Sequence, residues 1–530
     1  MLQFSLHLCE TQFAGVHMCN FTRMLLSLAV VTTAVNIASG QQEQGRIIVV
    51  SKSTVISQKL SKFLPEWLAP IKYGSGEDIR GLYRIRSDTL TTEKLLKSMK
   101  NVPDVLLAMP DTIGWIRQEP ETGDPSTQDG EKATAGWFLG SQAYIRVGAN
   151  VAAPFIVDHP LVTRATICVI GSGLDTSVDV LQVHRPSNGV WGHSLIADPN
   201  DLTDVLDHET RVVSQISMVT SADPSIAVYA IKVIHNDGHA YVSDVIKAVQ
   251  FVIDENMRLG PDRINFKGIN LSLSFSGNGT DLAILRDKLY EAFTAVNAFS
   301  VMAAGDRTDP ESPVSNLDEL PSANGLASGA RCLSYGFAVA ATSVDGSQLS
   351  DSSYYGPKTV QIAAPGSANR AVGVGGLVTS FGGTSAAAAI VVGAAVELRL
   401  RLGERGVIRF EASHLASNAA GSQSTYGDEL RGARLLNFGN YFLDHGPVPS
   451  FQPGVVQLAG KMKYFTDQRQ LSVSGFTYSS ACVQGYFGFI GASAIFEATN
   501  TVLSGPPPIA NELIVYNKTF GVDRQRVRVK

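Results

Sequence analysis

The sequence predicts an α/β protein with a mostly parallel sheet, helices on both faces of that sheet, and a small α+β unit in front of it. Between about residues 137 and 445, short apolar segments alternate with segments of helical periodicity, which is typical of parallel strands joined by helices. The apolar segments are almost continuously hydrophobic, and this indicates a sheet covered on both faces. In such sheets the functional side chains gather at the carboxyl ends of the strands.

Composition narrows the class of protein further. The 530 residues are 44% hydrophobic and 17% charged, which excludes an intrinsically disordered chain and supports a large core. The formal net charge of −5 argues against a nucleic-acid-binding protein, which would be basic. Five cysteines are too few for a disulfide scaffold. Cys168, inside an apolar segment, is predicted to be a buried free thiol.

Residues 1–44 form the predicted signal region. Arg23 precedes a short apolar stretch that ends in the small residues Ala38 and Gly40, as in a secretory signal peptide. The stretch is short and interrupted by Thr and Ser, so no membrane span is expected after signal removal. An uncleaved anchor is the alternative, and translation starts at either Met1 or Met24. The expected location is therefore secreted, in the extracellular space or the secretory pathway.

Four further regions follow. Residues 45–118 are predicted to be a small α+β domain, with strands at 46–50, 81–86 and 105–109, helices at 54–63 and 91–100, and extended chain at 112–117. Residues 119–135 are an acidic linker rich in turn residues, and a plausible cleavage site. Residues 136–445 form the main domain. Residues 446–530 are predicted to be a β-rich extension of unknown role, with a strand at 512–516.

The main domain contains five clear strands and three helices. The strands are predicted at 165–170, 226–233, 269–273, 300–304 and 337–341, and the helices at 242–256, 281–296 and 384–397. The last helix follows the turn Gly382-Gly383-Thr384-Ser385. This places Ser385 at a helix N-terminus, where backbone amides and the helix dipole stabilise a developing oxyanion. An ordinary N-cap serine on a buried helix would have the same pattern.

Several motifs in this order resemble those of the subtilisin-like serine proteases, over roughly residues 45–445. The run from Gly383 to Gly393 is similar to the family's G-T-S-M-A-x-P-H-V-A-G serine motif, and His208-Glu209-Thr210-Arg211 lies where the family has H-G-T-H. The resemblance implies that Ser385 is the nucleophile and His208 the general base. It also implies that Ser272, Leu273, Ser274, Ala304 and Gly305 line the substrate cleft, and that residues 45–118 are an inhibitory propeptide.

The clearest departure from the family is at the end of the first strand. The family has V-I-D-S/T-G there, and its aspartate orients the histidine, but this chain has Gly171. In subtilisin, a member of the same family, loss of that aspartate lowers kcat by about 3 × 10⁴. Peptide hydrolysis at least about 10³-fold slower is therefore expected, and Gly171→Asp is expected to raise it. Asp175 and Asp207 are the candidates for a substitute carboxylate.

The second departure is Asp306, at the position of the oxyanion asparagine. An ionised carboxylate there repels the oxyanion, and loss of one such donor costs about 10²–10³ in kcat. Glu209 and Arg211 replace a glycine and a histidine of the family motif, and a surface salt bridge between them is one interpretation. Ser274 replaces a glycine in the cleft strand.

Two functions remain open. The first is a secreted serine endopeptidase that hydrolyses peptide bonds through an acyl-enzyme, with reduced activity. The second is an inactive pseudoprotease that binds peptides or proteins. An unrelated α/β hydrolase lacks support because Ser385 is not in a G-x-S-x-G turn. The expected partners are a peptide or protein substrate and the protein's own propeptide. No cofactor is predicted with certainty, and structural calcium is compatible with the family resemblance.

Overall fold

The computed structural model describes residues 45–72, 79–116, 130–402 and 434–436, with gaps at 159, 162, 197, 261–262, 278, 308–312, 333–335 and 357–358. It also describes five strands in the C-terminal region. These are β18 (Lys463–Phe465), β19 (Gln470–Val473), β20 (Phe476–Tyr478), β21 (Glu512–Asn517) and β22 (Val522–Arg528). The predicted signal region and residues 119–129 of the predicted linker lie outside the described residues.

The N-terminal unit is an antiparallel sheet of four strands in the order β2-β3-β1-β4. Its elements are β1 (Gly45–Ser51), α1 (Gln58–Ser61), β2 (Glu66–Lys72), β3 (Ile79–Ser87), α2 (Thr92–Met99) and β4 (Val105–Pro110). Ile47 and Val49, on one face of β1, pack against α2 in a small core. Ile48 and Val50, on the other face, join the large core of the following domain. The unit is therefore docked on that domain through its sheet.

Two of its predicted elements differ from the structure. The helix predicted at 54–63 is only α1, which begins after the Ser57 cap and ends before Leu64, a residue with a positive φ of 47°. Pro65 follows, and a proline disfavours helical backbone in the residue before it. Sequence reasoning missed strand β2, which contains Pro70, a residue that is unfavourable in a central strand. It lies at the edge of the sheet, where a proline is tolerated.

The main domain is built on eight parallel strands in the order β17-β14-β13-β12-β10-β6-β8-β7. In chain order its strands are β5 (Ile113–Trp115), β6 (Ala165–Gly171), β7 (Gly192–Ser194), β8 (Ile226–Lys232), β9 (His239–Tyr241), β10 (Phe266–Leu271), β11 (Ser274–Phe275), β12 (Phe299–Ala303), β13 (Gly336–Thr342), β14 (Ile362–Pro365), β15 (Asn369–Val372), β16 (Val378–Phe381) and β17 (Arg434–Leu435).

In the described residues, the helices that accompany this sheet are α3 (Gln142–Arg146), α4 (Ala149–Asp158), α5 (His208–Thr220), α6 (Val242–Met257), α7 (Thr280–Val296) and α8 (Gly383–Leu402). Short 3-10 helices span Asp179–His184, Pro321–Asn324, Ala327–Cys332 and Val374–Gly376. Helix α5 packs with α8, and α6 packs with α7. The central strands β6, β10, β12 and β13 are buried at every position, as expected for a sheet covered on both faces. The predicted α/β fold class is confirmed.

Helix α8 contains the one segment of the described chain that is long and apolar enough to cross a membrane, Gly383–Arg401. Ninety-four per cent of this apolar stretch is buried inside the protein. It packs against α5 and against strands β10, β12, β13 and β14. The segment is therefore the core helix that the sequence predicts. Cys168, on β6, is a buried free thiol, as predicted, and burial raises its pKa well above the usual value.

Strand β5 connects the N-terminal unit to the main domain in an unexpected way. It leaves the small sheet after β4 and forms the middle strand of a separate three-stranded sheet, between β9 and β11. Both pairings are antiparallel: Trp115 lies opposite Ser274 on one side and His239 on the other. The segment that the sequence predicts as extended is thus held on both sides by the main domain.

Candidate active site

The carboxyl ends of the parallel strands position the candidate residues. Gly171 ends β6, Ser272 follows β10, and Asp306 comes three residues after β12. These three strands are neighbours in the sheet, with β10 between β6 and β12, so their ends lie at the same edge. Ser385 lies in the first turn of α8, which packs on the same strands.

His208 is the first residue of α5 and is completely buried. Its ring packs edge-on against Phe381, with 5.5 Å between the ring centroids. Phe381 is four residues before Ser385, so the two candidate residues are in the same region of the site. The imidazole Nδ1 lies 3.3 Å from Oε2 of Glu209. Its Nε2 is buried and has no hydrogen-bond partner among the described residues, so the Ser385 hydroxyl does not bond to it in this structure.

Glu209 occupies the space that the missing side chain at position 171 would fill. A Cβ added to Gly171 would overlap the Glu209 carboxylate, and would lie 2.7 Å from its Oε1. The backbone N–H of Ser172 donates to Oε2 of Glu209 at 3.4 Å, and the Glu209 N–H donates to Ser172 Oγ at 3.1 Å. Glu209 is 1% exposed. Burial raises the pKa of its carboxyl, whereas the hydrogen bond with His208 lowers it.

The predicted surface salt bridge between Glu209 and Arg211 is therefore wrong. Arg211 pairs instead with Asp207, at 2.8 Å between Nη2 and Oδ2, because the two residues are one helical turn apart. Glu209 points inward, to the end of β6. The signal that could have found it is a pair of departures from the family motifs: one position loses a carboxylate, and another gains one.

The two substitute carboxylates considered from the sequence are directed elsewhere. Asp175 accepts hydrogen bonds from the N–H groups of Ser177 and Gly375. Asp207 accepts from the Arg211 guanidinium and from the N–H of Val374. Neither carboxylate has a hydrogen bond with His208.

Ser385 is 4% exposed, and its Oγ lies 3.5 Å from the carbonyl oxygen of Ser272. In return, Ser272 Oγ donates to the Ser385 carbonyl at 3.2 Å. Gly383, at the start of α8, has a φ of 79°, which a residue with a side chain adopts only with strain. This turn holds Ser385 against the connection between β10 and β11.

The Asp306 carboxylate binds the N-terminus of α8. Both of its oxygens lie 3.1 Å from the Thr384 N–H, and Oδ2 accepts from the Thr384 hydroxyl at 2.8 Å. A negative charge is favourable at this end of a helix. The Asp306 carboxylate also contacts the residue that precedes Ser385, the predicted nucleophile.

The predicted cleft residues line two strand ends. Ser274 pairs with Trp115 of β5, as part of β11, and Leu273 is buried beside it. Ala304 and Gly305 follow β12, and the Gly305 N–H donates to the Thr384 hydroxyl at 3.0 Å. Asn324, which sequence reasoning missed, joins the two ends. Its amide donates to Ser274 Oγ at 3.3 Å and to the Ala304 carbonyl at 3.1 Å. No local pattern marks it, because all these partners are distant in sequence.

Within the described residues, no group of three or more His, Cys, Asp or Glu side chains is arranged to hold a metal ion. The candidate site contains a serine at a helix N-terminus, a buried histidine and a carboxylate 3.3 Å from the histidine Nδ1.

Comparison with known proteins identifies the family. Residues 163–419 match the model of the subtilase family. Subtilisin J of Geobacillus stearothermophilus and subtilisin E of Bacillus subtilis are each 26% identical to this chain over 310 residues, which is 57% of this chain and 67% of the relative. A subtilisin of Bacillus pumilus is 26% identical over 240 residues, covering 44% of this chain and 76% of that protein. Residues 163–419, just under half of the chain, are therefore similar to the subtilase family, and the predicted resemblance to the subtilisin-like serine proteases is confirmed.

Proposed function

We propose that this chain is the inhibited precursor of a serine endopeptidase. In the proposed reaction, Ser385 Oγ attacks the carbonyl carbon of a peptide bond while its proton passes to Nε2 of His208. His208 then gives that proton to the leaving amine, and water hydrolyses the acyl-enzyme. The Ser385 hydroxyl must first rotate away from the Ser272 carbonyl toward His208.

One observation supports this proposal: the extended strand β5 lies between β9 and β11, beside the predicted substrate-binding residues. Strand β5 pairs with β11, two residues after Ser272, whose carbonyl contacts Ser385 Oγ. On its other side β5 pairs with β9, and the N–H of Ile116 donates a hydrogen bond to the Gly238 carbonyl at 3.1 Å. Addition of a strand to exposed strand edges is a common way to bind a peptide, because the backbone supplies the hydrogen bonds. A substrate would take the place of β5.

The same observation supports an inhibitory role for residues 45–118. As long as β5 lies between β9 and β11, no other peptide pairs with those edges. We propose that the chain is cut after β5, within residues 117–131, and that the N-terminal unit then dissociates. The pattern of residues 1–44 supports the further proposal that the precursor is secreted.

Processing and a serine-directed probe together test this function. We expect a fluorophosphonate to label the mature protein at Ser385, and Ser385→Ala to abolish both labelling and cleavage within 117–131. N-terminal sequencing of the secreted wild-type protein and of Ser385→Ala separates self-cleavage from cleavage by another protease. The proposal would be contradicted if Ser385→Ala were processed normally and the fluorophosphonate labelled neither the wild-type protein nor the variant.

A pseudoprotease is the second candidate, and Asp306 favours it. A carboxylate at the N-terminus of α8 opposes the charge that develops in the transition state. An inactive protein would still bind a peptide copy of residues 110–118 once the N-terminal unit is removed. Peptide binding without any Ser385-dependent labelling would support this candidate over the endopeptidase.

A further inference from the structure

The chain departs from the family pattern at two positions that are in contact. The family has an aspartate at the end of the first strand and a glycine after the histidine, whereas this chain has Gly171 and Glu209. The two positions are 38 residues apart in sequence, yet a Cβ on Gly171 would overlap the Glu209 carboxylate. Each departure is hard to explain alone. Together they move one carboxylate from the strand to the helix.

We propose that Glu209 is the positioning residue that orients His208, in place of the aspartate missing at position 171. The proposal rests on the function proposed above, and it names a residue that the family motif does not contain. Oε2 of Glu209 faces Nδ1 of His208 at 3.3 Å, which leaves Nε2 free to receive the Ser385 proton. Glu209 takes no proton in the reaction. It holds the Nδ1–H tautomer and stabilises the imidazolium that forms.

Another carboxylate near this site, Asp204, is bonded to groups other than His208. Asp204, whose charge acts on Glu209, accepts from Ser172 Oγ at 2.7 Å and from the N–H and the hydroxyl of Thr210, each at 2.8 Å. Its oxygens are therefore engaged with the backbone and hydroxyls around the site. This network also holds the first turn of α5 against the end of β6, since Ser172 receives the Glu209 N–H.

The burial of Glu209 points to the same role. A buried carboxylate is costly unless a charged or hydrogen-bonding partner compensates it. Within the described part of the chain, Oε1 of Glu209 has no hydrogen-bond partner. The described contacts of the carboxylate are with His208 and the Ser172 N–H. When His208 accepts the Ser385 proton, the two buried groups become an ion pair, and the charge of Glu209 is compensated at the moment of reaction.

The test replaces Glu209 and then moves the carboxylate back. We expect Glu209→Ala to lower kcat by about 10³-fold or more, as for removal of the aspartate in subtilisin, with a small change in KM. Gly171→Asp alone should also be impaired, because the introduced side chain would collide with Glu209. The double variant Gly171→Asp with Glu209→Gly should recover to within about tenfold of the wild type. Glu255→Gln is the matched control: Glu255 is also buried, but it bonds to Arg258 and the N–H of Ile264.

A second measurement separates this proposal from the proposed function. Nitrogen-15 NMR of His208, assigned with His208→Ala, reports which ring nitrogen carries the proton. We expect the Nδ1–H tautomer in the wild type and its loss in Glu209→Ala. If the kcat of Glu209→Ala were within tenfold of the wild-type value while Ser385→Ala was inactive, the role of Glu209 would be overturned and the endopeptidase function would stand. An inactive wild-type protein would refute the endopeptidase function. In that case the NMR measurement alone tests Glu209, and an unchanged His208 tautomer in Glu209→Ala would overturn its positioning role.

Discussion

At the residue scale, Asp306 has two opposed effects. Its carboxylate accepts the Thr384 N–H and hydroxyl, which stabilises the start of α8. The same negative charge contacts the residue before Ser385, and in the proposed reaction the oxyanion needs a hydrogen-bond donor there. Under that proposal, Asp306 favours the folded helix and opposes the reaction.

We predict that Asp306→Asn raises the rate of peptide hydrolysis by about 10- to 10³-fold, because an amide donates to the oxyanion and carries no charge. Thermal stability should fall slightly, since the helix loses a charged partner at its N-terminus. Steady-state kinetics and thermal unfolding measure the two effects. Ser353→Ala, which removes a buried hydroxyl from the neighbouring strand connection, is a control for general disturbance of the loop. An unchanged or lower rate in Asp306→Asn would show that the carboxylate does not oppose the oxyanion.

The relocation of the carboxylate changes the prediction for Gly171. From the sequence, Gly171→Asp is expected to raise the activity by restoring the family's aspartate. In the structure, the Glu209 carboxylate fills that place, so the single substitution is expected to lower activity. Only the double variant, which also removes the Glu209 side chain, has room for an aspartate at the end of β6.

At the scale of single elements, α8 carries a buried acid at its C-terminal half. Glu397 is completely buried, and its Oε1 lies 2.5 Å from Nε of Arg401. Burial and the nearby Asp223 carboxylate raise the pKa of Glu397 to about 8, although Arg401 acts in the opposite direction. The folded protein therefore holds a proton on this group at pH values where the unfolded chain has lost it.

We predict that Glu397→Gln reduces the fall in the free energy of unfolding as the pH rises from about 5 to 8. The folded-state pKa of Glu397 is raised, so its contribution is full below the unfolded value and is lost as the pH rises through this range. The stability of Glu397→Gln relative to the wild type should rise with pH, by up to about 1.4 kcal/mol per pH unit. Chemical denaturation of both proteins from pH 5 to 8 measures it. Parallel curves would contradict a raised pKa.

Strand β5 is held in the cleft by close packing as well as hydrogen bonds. A Cβ on Gly114 would lie 2.5 Å from the Phe275 ring, so a larger residue there cannot keep the present approach. Gly114 lies opposite Phe275 on β11 and Ala240 on β9. The glycine thus allows the two neighbouring strands to come close.

We predict that Gly114→Leu displaces β5 and exposes the cleft of the uncleaved precursor. Labelling of that precursor by a fluorophosphonate should become at least about tenfold faster than in the wild type. Ile113→Val, a change at an exposed position of the same strand, is the control and should leave the rate unchanged. If Gly114→Leu is labelled no faster, β5 is not what closes the cleft.

At the scale of the whole molecule, a buried charge cluster joins the N-terminal unit to the main domain. Arg46 contacts Asp111 at 2.5 Å and Asp244 at 2.7 Å, and Arg84 also pairs with Asp244. Lys247 adds a bond of 2.7 Å to Glu66 at the edge of the cluster. Asp244 is the carboxylate of the main domain that receives both arginines. Its loss would leave them buried without that partner.

We predict that Asp244→Asn weakens binding of the cleaved N-terminal unit by about 10²-fold or more, because breaking a buried ion pair costs about 3–5 kcal/mol. Titration of the mature domain with a separately produced chain of residues 45–118, by inhibition or calorimetry, measures the change. Asp254→Asn, another carboxylate of α6 outside the cluster, should bind like the wild type. Equal affinity of Asp244→Asn would mean that the apolar face of the sheet alone holds the two parts together.

Local patterns in the sequence were enough to predict the fold class of the main domain, five of its parallel strands and three of its helices. Strands such as Ala165–Gly171 and helices such as Val242–Met257 follow from local hydrophobic patterns, which a buried parallel sheet makes nearly continuous. The position of Ser385 at a helix N-terminus also follows from a local signal, the Gly-Gly-Thr-Ser turn. These features need only near neighbours in the chain, so a pattern of residues is enough to predict them.

The tertiary structure decided the details that give the site its chemistry. The sequence suggests a surface position for Glu209, but the fold brings it over Gly171, 38 residues away. Asp244 meets Arg46 and Arg84 across about 200 and 160 positions of sequence, and β5 meets β11 across a similar distance. The physical reason is the same in each case. A side chain's burial and partners depend on which distant surfaces fold against it, and no local periodicity records that choice.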